Sequence, residues 1–202
     1  MDRSAITSFY LENIRTERSA IALVGDFDSN QMKSELTKHF ANWRVTSPRL
    51  ISDLRNNNKQ LTAPAVYLIN KDNATETTFM IGGFGVPMNN QDKIQIDVIN
   101  TILGGRFTAW LIEELRTNAG LTYSAWSRFA SYKGTGAFYI STFTQTENTE
   151  RAIDLALKTY NRLFEKGIDE ATLKSAKNYV KGQFPPGYET ASSLAGFLTQ
   201  KY

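Results

Sequence analysis

The chain has 202 residues, 41% of them apolar, enough to bury one continuous core, so a single domain over residues 1–202 is the expectation. Its 23 basic and 20 acidic residues leave a net charge of only +3 and form no block, so neither nucleic acid nor an anionic membrane is indicated as a partner. With no cysteine and a single histidine, His39, it has no disulfide, no thiol chemistry and no zinc motif of the His-x-x-Glu-His kind, so no metal ligands and no catalytic residues are expected.

From the N-terminus, residues 19–25 (SAIALVG) form an apolar run closed by Gly25 and Asp26, which reads as a strand. Asp28 or Ser29 then caps a helix in which Met32, Leu36, Phe40 and Trp43 recur at spacings of three and four, with His39 bordering that stripe. Residues 44–63 are polar, rich in Asn and Ser, and read as a long surface connection with room for a weak edge element. Residues 64–70 and 75–86 read as two strands joined by the turn Lys71-Asp72-Asn73.

Asn89 or Asn90 caps the next helix, which carries Ile94, Val98, Ile99, Ile102 and Leu103 and stops at Gly104-Gly105, where a left-handed residue costs little. A second helix follows, with Phe107, Leu111, Ile112 and Leu115 on one face and an end near Asn118 to Gly120. Strands at 121–130 and 134–144 make a hairpin about Tyr132-Lys133-Gly134. Three helices close the chain: Thr146 to Lys166 with Gly167 as its stop, one from Asp169 that breaks at Gly182 and Pro185-Pro186, and one over 189–202. This order predicts an α+β domain with a mostly antiparallel sheet and helices packed on one face.

No apolar run approaches the ~20 residues of a membrane-spanning helix, and the opening MDRSAITSFY lacks the features of a signal peptide. The last residues, FLTQKY, end a helical pattern without a cap, so the chain is expected to be a piece of a longer two-domain protein. The compartment stays open, periplasm or cytoplasm in a bacterium.

Arg116 stands near a helix C-terminus, where a cation is favoured, and Tyr123 stands on the strand beyond the Gly120 turn. With six residues between them, the two side chains can converge on one groove. A guanidinium fork and a phenol suit the carbonyl oxygens of an extended peptide, which they hold without cleaving. The plainer alternatives are an ion pair of Arg116 with Glu113 and a core position for Tyr123. Gly104 and Gly105 either end their helix or let a substrate backbone approach closely.

VGDFD at 24–28 ahead of a helix, PAVYLINK at 64–71 and NTILGGRFTAWLIEELRTNAGLTYSAWS at 100–127 resemble the C-terminal domain of the M16 metallopeptidases, the family of pitrilysin, insulinase and the mitochondrial processing peptidase. The resemblance spans nearly the whole chain, and the run LGG-x-F…L-x-x-ELR-x-x-x-GLTYS is its specific part. It implies a LuxS-MPP-like two-layer domain that faces a homologous domain, in the same chain or a separate subunit, around a closed chamber. In that arrangement zinc and its His-x-x-Glu-His motif belong to the partner domain, no cofactor belongs to this chain, and an Arg/Tyr pair, here Arg116 and Tyr123, binds the peptide. A noncatalytic scaffold subunit is the other role the family allows. An interface left without its partner would let the isolated chain form a homodimer. Arg106 and Trp110 depart from the family's commoner pattern, a small residue and an arginine.

Overall fold

The computed structural model describes residues 2–14, 16, 19–43 and 63–201. They fall in two compact units, residues 1–52 with 183–202 and residues 53–182. The expected surface connection over 44–63 lies, but for residue 63, outside the described residues.

In the first unit, helix α1 (Arg3–Asn13) starts where the Asp2 carboxylate accepts the Ala5 N–H at 2.8 Å. Helix α2 (Ser29–Phe40) uses the expected cap, the Gln31 N–H donating to Asp28 Oδ1 at 2.7 Å. The Trp43 indole donates to the Tyr10 hydroxyl at 3.0 Å and ties α1 to the end of α2. His39 stands on an exposed face of α2, 3.9 Å from Glu35. Residues 19–25, expected as a strand, have no ladder partner among the described residues.

The second unit holds an antiparallel sheet in the order β1-β3-β2, from β1 (Glu76–Phe84), β2 (Ala125–Ser131) and β3 (Gly136–Gln145). Period-two alternation sends one face inward: the rows Phe79–Thr142–Ala125 and Ile81–Ile140–Ser127 line the core, whereas Met80 and Trp126 stay exposed across Ser141. Residues 64–70, the other expected strand, do not join it, and Val66, Tyr67, Leu68 and Ile69 are 85–94% exposed. Apolar character fits such a segment for a sheet, but a strand exists only when a neighbour accepts its backbone groups, and none of the described residues does.

Over the inner face lie α3 (Lys93–Leu103), a π-helical segment (Ile112–Asn118) and α4 (Thr149–Glu165), followed by α5 (Glu170–Gln183) and, in the first unit, α6 (Ala191–Lys201). Leu103, Leu111, Leu115, Ala125, Ile140 and Ala156 make the central cluster; Val98, Ile102, Trp110 and Ala176 make a second one toward α5. Each fully buried leucine contributes about 1.5–3 kcal/mol. The α+β class with an antiparallel sheet covered by helices is as expected. Helix α4 stops at Gly167, whose φ of 66° suits the left-handed stop, and Asp169 caps α5 through Thr172. Gly182 does not break α5; the break comes at Pro185-Pro186.

Candidate functional site

The LGG run closes α3 in an unexpected manner. Gly104 has φ −159°, not the left-handed value, and both Gly104 and Gly105 N–H groups donate to Asn100 O at 2.9 and 2.7 Å. Space, rather than φ, requires Gly104: a Cβ there would lie 2.4 Å from Ser127 N and 2.8 Å from Leu111 Cδ1. The close approach at Gly104 is therefore to β2, while Gly105 is exposed.

Phe107 belongs to the turn that follows, not to the helix, and is 71% exposed instead of facing the core. Ala109, two residues on, is fully buried and anchors the turn, its N–H donating to Arg106 O at 3.1 Å. From Ile112 the helix widens to π geometry and ends with the Leu121 N–H on Leu115 O at 2.8 Å and the Gly120 N–H on Arg116 O at 3.1 Å. Gly120, φ 64°, makes the reversal that a Cβ would strain.

Arg116 emerges half-buried in the last turn of this π-helix. Its guanidinium carbon lies 4.7 Å from the centroid of the Tyr123 ring and 4.9 Å from that of Phe107, so two aromatic faces flank the cation. The alternative pairing with Glu113 is not made: among the described residues Arg116 has no ion pair and no hydrogen bond from its side chain. The nearby carboxylate of Glu114 instead meets Arg162 at 3.9 Å. Ring contacts thus hold Arg116 in place and leave its N–H donors available.

Tyr123 lies two residues before β2, in a bent segment, and is 72% exposed. Leu121 and Ala125, with which a strand would have aligned it, are buried at 6% and 1%. Two threonines on the inner face of β3 pin the segment on either side of Tyr123: Thr144 Oγ1 donates to Leu121 O at 2.7 Å and Thr142 Oγ1 to Ser124 O at 2.8 Å. Sequence reasoning missed both, although the Thr142-x-Thr144 spacing at period two on one strand face was the available signal. Arg116 and Tyr123 do converge, with Phe107 as a third member that reasoning had assigned to the core.

Elsewhere in this unit, two surface clefts run beside α4, lined by Glu114, Lys158, Arg151, Arg162, Asp154 and Glu165 among others. Their mixed charges select no ligand of either sign, and neither includes Arg116 or Tyr123. No three His, Asp or Glu side chains among the described residues come together as a metal-holding group, so the described residues do not fit a zinc ion. No described helix is long and apolar enough to cross a membrane.

The described residues thus form an antiparallel sheet under helices, with a guanidinium flanked by two exposed rings and no metal-holding group among them. Residues 1–180 match the family described as the peptidase M16 inactive domain, and the chain belongs to that family. It is 25% identical over 194 residues to an uncharacterized zinc protease of Mycobacterium tuberculosis, covering 96% of this chain and 44% of that protein. It is also 25% identical over 193 residues to YmfF of Bacillus subtilis, described as a probable inactive metalloprotease, covering 95% of this chain and 44% of that one. The chain therefore spans less than half the length of these relatives. Among solved structures, the peptidase M16 inactive domain from Pseudomonas fluorescens superposes with a TM-score of 0.72 at 21% identity, covering 98% of this chain and 46% of that one. A protease from Helicobacter pylori gives 0.69 at 19% identity, covering 88% and 43%.

The two departures from the family's commoner pattern both engage the helices after the sheet. Arg106 donates from Nη1 to Ser175 Oγ at 3.0 Å and lies 5.8 Å from the Tyr179 ring centroid, with its buried Nε unpartnered. Trp110, 5% exposed, lies 4.0 Å beneath the guanidinium carbon of Arg162 on α4.

Proposed function

We propose that this chain is the substrate-binding, non-zinc half of an M16-type zinc metalloendopeptidase, holding an extended peptide for hydrolysis by a partner domain that carries His-x-x-Glu-His. The observation that carries the proposal is the guanidinium of Arg116, flanked by two exposed rings and without any acceptor of its own among the described residues. In this reading Arg116 donates to a peptide carbonyl oxygen and the Tyr123 hydroxyl, which has no hydrogen-bond partner among the described residues, donates to the same strand of substrate. Exposed Gly105 offers backbone without a side chain just beyond the end of α3. The contribution of this half is orientation, which turns the attack into an effectively intramolecular step in the partner's site.

A hydrogen bond from a charged donor is worth about 1.5–3 kcal/mol, so Arg116→Ala in the assembled enzyme lowers kcat/KM roughly 10- to 150-fold with zinc content unchanged. An unchanged kcat/KM removes the assignment. The likeness to the relative described as a probable inactive metalloprotease supports a second reading, a noncatalytic scaffold that pairs with a homologous domain. A stable complex that lacks His-x-x-Glu-His on every chain decides for it.

A further inference from the structure

We propose that Arg106 is a positioning residue for peptide binding, tying the turn that carries Phe107 to α5 and thereby fixing the guanidinium of Arg116. This rests on the peptide-binding reading of Arg116. Backbone contacts alone hold little of that turn: Gly105, Phe107 and Thr108 are exposed, and its internal hydrogen bond is the Ala109 N–H on Arg106 O at 3.1 Å. Arg106 adds a tether across 69 residues of chain, its Nη1 donating to Ser175 Oγ at 3.0 Å. Tyr179, one turn further along α5, faces the same guanidinium with its ring centroid at 5.8 Å. A small residue at 106, the family's commoner choice, would leave Phe107 to its backbone neighbours.

The effect reaches Arg116 through the adjoining residue. The side chain of Arg116 makes no ion pair or hydrogen bond among the described residues, so its direction depends on the rings of Phe107 at 4.9 Å and Tyr123 at 4.7 Å. Thr142 and Thr144 pin the Tyr123 side of this clamp from β3. Arg106 does the same for the Phe107 side from α5. It does so against the stability of the fold, because its Nε is buried with no hydrogen-bond partner among the described residues, and a stranded donor on a charged group opposes folding. A contact that burdens the fold while fixing a turn beside Arg116 fits positioning rather than stabilisation.

The test uses the intact two-half protein and a fluorescein-labelled ten-residue peptide of Ala and Gln. Arg106→Ala should raise its Kd on the order of 10-fold while the melting temperature stays within about 3 °C of wild type. Arg106→Lys, which keeps a donor for Ser175, recovers most of the affinity. Ser175→Ala weakens binding as well, and the double variant is no worse than Arg106→Ala, since both remove one tether. Arg162→Ala is the control: it releases the stack on Trp110 in the same stretch of chain and should lower stability with Kd within about two-fold of wild type. Unchanged Kd in Arg106→Ala overturns the proposal, and equal Kd losses in Arg106→Ala and Arg162→Ala do so too, by making the effect one of folding. Arg116→Ala should weaken the peptide; if it does not, the peptide-binding reading itself fails, an outcome distinct from either failure of Arg106.

Discussion

Gly104→Ala separates two explanations of the LGG run. If Gly104 exists to admit a substrate, adding a methyl group should harm binding and spare the fold; if it exists to seat β2, the fold itself should suffer. The added Cβ would stand 2.4 Å from Ser127 N, 2.7 Å from Ser127 Oγ and 2.8 Å from Leu111 Cδ1. Ser127 has little room to retreat, since its N–H donates to Gly104 O at 3.2 Å and its hydroxyl to Asn100 Oδ1 at 2.8 Å. Forcing extra volume into a packed interior costs about 1–3 kcal/mol, while the gain from a stiffer unfolded chain is about 0.4–1 kcal/mol. The net expectation is a loss of about 1–2 kcal/mol. Urea unfolding followed by circular dichroism reads it, with Gly83→Ala as the control, because nothing lies within 4 Å of a Cβ there. Wild-type stability in Gly104→Ala would refute the packing argument.

Arg162→Ala should cost more stability than Glu114→Ala in the same unfolding assay. The stack of Arg162 on buried Trp110 is worth about 0.5–2 kcal/mol, whereas the half-buried, long 3.9 Å ion pair is worth about 0–1 kcal/mol. Thr144→Val strips the buried carbonyl of Leu121 of its donor and should cost about 1–3 kcal/mol. It should also weaken peptide binding through Tyr123, which Thr142→Val reproduces from the other side. Asp169 titrates below the usual carboxylate range because the Thr172 hydroxyl and then its backbone N–H donate to it. A depressed folded pKa contributes stability above the ordinary value of 3.8 and loses it as pH falls further. The melting temperature of Asp169→Ala should accordingly lie below wild type at pH 7, with the gap closing below that value.

What could be read from the sequence followed from local chemistry. The Asp28 cap, the helix start at Asp169, the Gly167 stop and the β2–β3 hairpin depend on a few adjacent residues, and each is present. Helix α1 was missed although Asp2 caps it, because Ile6, Phe9, Tyr10 and Leu11 remain exposed and mark no strong buried face. The segments 19–25 and 64–70 misled in the opposite sense, their apolar runs describing a strand that only a distant partner could complete. At the site, the spacing of four from Phe107 to Leu111 and Leu115 imitated a helical stripe, but the turn anchored at Ala109 comes between. The period of two from Leu121 through Tyr123 to Ala125 imitated a strand face, but a bend turns Tyr123 outward. Convergence of Arg116 and Tyr123 was still legible, because it needed only a helix end, a left-handed glycine and a short reach.

The division of labour is tested most directly by assaying zinc content and peptide hydrolysis for this chain alone, for a candidate His-x-x-Glu-His partner domain alone, and for the two mixed. The account predicts no zinc in this chain and cleavage only in the mixture. Bound zinc or cleavage in this chain alone would contradict it, as would an inactive mixture in which the complex has demonstrably formed.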